Sequence, residues 1–247
     1  MNTFFGMPVD RYPNGMIKLT LSNSIEIEKQ INGDQKYGND KAKAEYEKYS
    51  QNKATIGQHL FSIIWAIKIS NSIRKVTKKH AQCLKNYIVG TIGFNSFLNR
   101  LGDKAKSIKL VNEMVTALAK RFPKVGRQLS WCSKICKYLD CWYWGNSDPN
   151  YRNHFAVYDH VVATVLPYYL KEYGLSNHGK LWYPNDLMAS EIYDNYDIFN
   201  RLVGKLLRTI YTKDGQTLTK YRLDHLLWYH YKNYDGARLK KVIESYL

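Results

Sequence analysis

The sequence predicts a mainly α protein: a two-lobed helical bundle carrying a helix–hairpin–helix motif, with a short N-terminal strand or an extended arm. Three observations lead there. After residue 40 the apolar residues recur mostly at spacings of three and four, the period of a helix face. Alternation with a period of two appears at Ile17-Lys18-Leu19-Thr20-Leu21, within the irregular N-terminal part. No repeat, low-complexity tract or linker divides the chain, so residues 40–247 read as one two-lobed domain after an irregular arm over 1–39. At 247 residues and 45% apolar content, the chain can bury a substantial core.

The elements follow in order. "DKAKAEYEKYSQ" is a polar helix, and residues 56–73 carry a broad apolar face around Leu60, Ile64 and Ile67. The basic stretch 74–102 is interrupted by Gly90, Gly93 and Gly102. Residues 103–122 form the clearest amphipathic helix, with Ile108, Val111, Val115 and Leu118 on one face, and Pro123 stops it. A helix restarts over 127–141, turn residues make 145–153 a loop, and 155–173, 187–211, 219–232 and 235–247 are helix-compatible.

Charge narrows the function classes. Lys and Arg number 37 against 21 Asp and Glu, a net +16, which favours a polyanionic partner. The 21 Tyr and six Trp suit either base stacking or an irregular helical core. Cys83, Cys132, Cys136 and Cys141 have neither a disulfide-scaffold density nor a zinc or iron–sulfur spacing, and read as reduced thiols. His225 and His230, five apart, are a poor pair on one helix face, so no metal or other cofactor is expected. The first residues lack a basic segment followed by a long apolar core, and no run approaches a membrane span, so a cytoplasmic protein without membrane attachment is expected.

Two stretches carry candidate chemistry. "FPKVGRQLSWCSKICKYL" (122–139) reads as a turn between helices, in which Gly126 permits a tight conformation and the new helix offers unpaired N–H groups to a phosphate. Lys124, Val125, Gly126, Arg127 and Gln128 are then the candidate phosphate contacts. Lys134 lies among Trp131, Cys132, Ile135 and Cys136, an apolar setting in which an amine can lose its proton and become nucleophilic. "HFAVYDHVV" (154–162) puts Asp159 at the start of an apolar helix after a β-like run. A lysine and a carboxylate facing one pocket could attack a sugar C1′ and stabilise the charge that develops on the ring.

The order "FPKVG", "SWCSK", "FAVYDHVV" resembles the helix–hairpin–helix DNA glycosylase superfamily over about residues 105–170, in particular its divergent 8-oxoguanine-glycosylase-like branch. The resemblance implies a hairpin that grips DNA backbone, a base flipped between two helical lobes, and a lysine that can form a Schiff base. By position, Pro123, Val125 and Gly126 match the hairpin and Asp159 the catalytic aspartate. The main branch has its nucleophile two residues after the hairpin glycine, where this chain has Gln128, so Lys134 is the substitute. The four-cysteine signature of some members is absent. On this reading Trp131, Trp142, Tyr143, Trp144 and His160 are candidates for the base pocket. Two other readings stand beside it: a HEPN-like RNase using Arg74 and His80 of "RKVTKKH", and a DNA-binding module without chemistry.

Overall fold

The structure, a computed structural model, describes residues 9–13, 15–33, 40–71, 73, 75–125, 128–145, 153–158, 160–175, 196–232 and 241. These residues form an all-α, multi-helix bundle. The helices are α1 (Leu21–Gly33), α2 (Asp40–Glu47), α3 (Lys53–Gln58), α4 (Leu60–Ser70), α5 (Lys78–Asn86), α6 (Phe94–Gly102), α7 (Lys104–Arg121), α8 (Leu129–Tyr143), α9 (His160–Glu172), α10 (Tyr196–Asp214) and α11 (Lys220–Tyr231). A π-helical stretch, Tyr87–Gly93, joins α5 to α6, and a 3₁₀ turn, Pro123–Val125, follows α7. The chain divides into two compact units: Met1–Tyr37 with Asp159–Ser190 and Arg201–Leu247, and Gly38–Tyr158 with Glu191–Asn200.

In the first unit α1 packs on α11, and α11 on α9. The expected N-terminal strand is reduced to one antiparallel bridge, Arg11 to Ile17, and the supposed irregular arm holds the helix α1. The reason lies in two polar side chains. Thr20 Oγ1 accepts the N–H of Asn23 at 3.1 Å, starting the helix before the alternation can extend. Asn23 then fastens the preceding turn, accepting from Asp10 N and donating to the carbonyls of Asp10 and Lys18, each at 2.9 Å. Gly15 (φ 88°) closes that turn in a backbone region that only glycine enters without strain. A cleft of about 350 Å³ in this unit is lined by Tyr12, Lys18, Tyr173, Lys213 and Asp214 among others, and none of the candidate site residues lies on it. Tyr173 donates its proton to Asp214 at 2.7 Å, so Tyr12 donates to Tyr173 at 3.0 Å.

In the second unit α8 packs on α4, α6 and α7, and α5 packs on α4 and α7. The helix expected over 56–73 is two helices meeting at His59. On α7 the buried face is Leu110, Val111, Met114, Val115 and Leu118; Ile108 is half-buried. Asp103 caps α7 by accepting from Ala105 N and Lys106 N. Of the predicted breaks at glycine in 74–102, Gly90 sits within the π-helical stretch and Gly93 (φ 82°) ends it. Gly102 ends α6, where the Trp144 ring lies 3.0 Å from an ideal Cβ and would have to shift to admit one.

Candidate active site

Helix α8 is the element on which the predicted chemistry rests, and it lies deep in the protein. From Trp131 to Asp140 every residue is buried. That run includes three side chains of charged type: Lys134, 8% exposed, and Lys137 and Asp140, each 1% exposed. Charged groups are this deeply buried only when paired and hydrogen-bonded, because desolvation otherwise costs several kcal/mol (about 3–5 when a partner is removed). Lys134 Nζ reaches Ser130 Oγ, one turn earlier, at 3.5 Å. Asp140 Oδ1 lies 3.7 Å from His154 Nδ1, and that nitrogen donates to Leu101 O at 3.0 Å, which assigns its proton.

The second component is the segment 153–158, which after Asn153 and His154 is neither helix nor strand and pairs with no strand among the described residues. Phe155, Ala156, Val157 and Tyr158 are buried, so their backbone polar groups need partners. Side chains supply them at alternate residues. Asn200 donates to His154 O at 3.0 Å and accepts from Ala156 N at 2.9 Å. Tyr196 OH donates to Ala156 O, and Ser133 Oγ accepts the N–H of Tyr158 at 3.2 Å. Asn112 on α7 in turn accepts from Tyr196 N at 2.9 Å, holding the start of α10. The segment with the β-like pattern in the sequence is thus paired with side chains and forms no strand.

The structure brings some predicted site residues together and engages others in packing. Lys134 and Ser133 sit on the α8 turn to which the backbone of Tyr158 is tied; Asp159, the next residue, lies outside the described residues, as do Gly126 and Arg127. Lys124 is exposed on the 3₁₀ turn, and Gln128 Nε2 donates to Val125 O at 2.8 Å, bracing the turn before α8 begins. Trp131 is fully buried core. Trp142 stacks on Tyr138 and meets Tyr46, both at 5.3 Å between ring centroids. Lys53 lies 5.4 Å over the Tyr143 ring, and Trp144 donates to Leu98 O at 3.0 Å. His160 is the first residue of α9, and its side chain is outside the described part.

His80, the second member of the Arg-x5-His spacing, serves helix α5: its Nδ1 accepts from Thr77 N at 2.9 Å, and its ring meets Phe122 edge-on at 4.4 Å. Burial pushes its pKa below the ordinary histidine value. Arg74 lies outside the described residues. Cys132 and Cys136 are buried free thiols whose pKa values burial raises, and Cys136 Sγ sits 3.7 Å from Met114 Sδ. Among the described residues no group of three or more His, Cys, Asp or Glu side chains gathers for a metal, and no helix is long and apolar enough to cross a membrane.

Sequence reasoning passed over Lys137, Asp140, Ser133 and Asn200. A helix buried on all sides has no polar face to betray its charged members, and hydroxyl or amide side chains give no periodic signal. The one available sign was "SKICKYLD", two lysines and an aspartate at spacings of three within an apolar run. Compared with known proteins, the chain matches no family model, no curated protein and no solved structure.

Proposed function

We propose that the chain is a DNA glycosylase of the helix–hairpin–helix kind, with Lys134 as nucleophile and Asp159 as the assisting carboxylate. One observation carries the reading. Ser133 Oγ holds the backbone N–H of Tyr158, so the chain one residue before Asp159 is pinned to the α8 turn that bears Lys134. The buried, side-chain-paired segment 154–158 is an expensive way to deliver a chain to one point, and expense of that kind is found where position matters. The all-α bundle, the turn between α7 and α8, and the +16 charge agree with it.

The chemistry balances with these groups. Attacking as the amine, Lys134 forms a bond to C1′ of a flipped nucleotide while the C1′–N glycosidic bond breaks, its electron pair leaving with the base, which takes up a proton. Asp159 stabilises the positive charge on the sugar and accepts the proton that the new ammonium sheds. Opening of the C1′–O4′ bond, with a proton taken up by O4′, leaves an iminium that water hydrolyses to restore the lysine. The RNase reading has less support, because His80 Nδ1 is occupied in capping α5.

Borohydride trapping and base release on duplexes carrying 8-oxoguanine, uracil or modified cytosines test the proposal with wild type, Lys134→Ala and Asp159→Asn. A trapped adduct that Lys134→Ala abolishes, with base release falling by at least about 10²-fold, is the expected result. Base release without an adduct, lost in Asp159→Asn, would transfer attack to water and remove Lys134 from the chemistry. Binding without base release from any duplex would reduce the protein to a DNA-binding module.

A further inference from the structure

The charge excess is unevenly spread in a way that composition hides. No Asp or Glu occurs between Glu47 and Asp103, nor between Glu113 and Asp140. The two acid-free stretches meet in the second unit: α5 packs on α7, the His80 ring touches Phe122 at 4.4 Å, and the positive charge of Arg121 acts on the Cys83 thiol. The start of α5 therefore lies against the end of α7. Lys75, Lys78 and Lys79 at the former, and Lys120, Arg121 and Lys124 at the latter, are all exposed. The nearest acids in sequence are committed elsewhere: Glu113 forms a two-pronged pair with Arg100 at 2.6 and 2.9 Å, and Asp103 caps α7 and pairs with Lys106 at 2.9 Å. Lys75 adds an independent sign. It holds a left-handed backbone, φ 61°, where glycine would sit without strain and a lysine does not.

We infer that the first turn of α5 with Lys75, and the end of α7 with its 3₁₀ turn, form one continuous face that binds the sugar–phosphate backbone of duplex DNA. The inference rests on the glycosylase reading for its choice of DNA, and it adds a second contact area to the hairpin. Two features favour a duplex backbone. The exposed large apolar side chains among the described residues, Ile25, Ile69 and Tyr211, belong to neither element, so the face offers nothing to insert into a bilayer. It also offers no free aromatic platform for unpaired bases, since Phe122 is half-buried against His80. Six exposed cations, none paired with an acid among the described residues, suit a regular line of phosphates.

The test is fluorescence anisotropy on a short unmodified duplex across a salt series. It compares the full chain, the Lys75→Gln/Lys78→Gln/Lys79→Gln variant, and a control with the same charge change at exposed lysines of other helices, Lys29→Gln/Lys171→Gln/Lys205→Gln. The α5 variant is expected to bind at least about tenfold more weakly at ~0.1 M salt, with a log–log salt slope shallower by roughly 2–3. Equal slopes for the α5 variant and the control overturn the inference, even if base release persists and the glycosylase reading survives. A patch-dependent slope in a protein that releases no base leaves the inference standing and removes that reading. Patch-dependent binding to single-stranded RNA with none to the duplex also overturns it.

Discussion

Ile17 gives both of its backbone polar groups to tyrosines. Its N–H donates to Tyr231 OH at 3.4 Å, Tyr231 donates to Tyr169 OH at 2.9 Å, and Tyr169 donates to Ile17 O at 2.8 Å, a closed ring of three bonds in the core. The direction is forced, because each hydroxyl has one proton and the carbonyl can only accept. Tyr169→Phe leaves a buried carbonyl and a buried hydroxyl short of partners, and should cost roughly 1–3 kcal/mol in urea unfolding, with little change in far-UV circular dichroism. Nearby, Arg11 lies 3.3 Å from His230 Nε2, and burial with that positive charge pushes the His230 pKa down to about 3. The unfolded chain, with an ordinary value of ~6.5, then binds a proton that the folded chain refuses between those limits. Stability from His230 is complete above about pH 6.5 and is lost as the pH falls toward 3, by up to about tenfold in the unfolding constant per pH unit. His230→Gln should flatten the wild-type fall between about pH 6 and pH 5, where few carboxylates yet titrate.

At the scale of elements, the buried segment 154–158 depends on Asn200 more than on any residue of its own. Asn200→Ala removes two of the bonds that hold it, to His154 O and Ala156 N, in a buried setting. The expected outcome is a loss of roughly 2–4 kcal/mol in stability. At temperatures where the variant stays folded, base release should fall much further than affinity for the unmodified duplex. An equal loss of both would mean that the segment supports the core alone.

The elements also show what a sequence discloses. The helix α7 was legible because its charged residues face water and its apolar ones do not, while α8 was read as helix but not as the deepest element. Periodicity reports the contrast between two faces, and α8 from Trp131 to Asp140 has no exposed face. The strand-like alternation at 17–21 misled for a different reason: Thr20 and Asn23, polar residues with no period, decide where α1 begins. The run before Asp159 has a β-like pattern in the sequence, but its partners lie on α8 and α10, and only the fold reveals them.

The whole molecule sets chain order against spatial order. Its second unit takes in residues 38–158 and then residues 191–200, after the intervening chain has contributed to the first unit. The same arrangement concentrates charge, since the acid-free stretches belong to the second unit. A basic composition alone would have suggested an even coating of cations. The segment 154–158 turns this topology into a matter of timing. Ser133 is already made when the segment emerges from the ribosome, but Tyr196 and Asn200 are some forty residues away. Until they arrive, the carbonyls of His154 and Ala156 and the N–H of Ala156 must stay in water. During synthesis the second unit therefore remains open along this segment while the chain of the first is being made. Protection of residues 154–158 from protease on stalled nascent chains should appear only once residue 200 has left the exit tunnel.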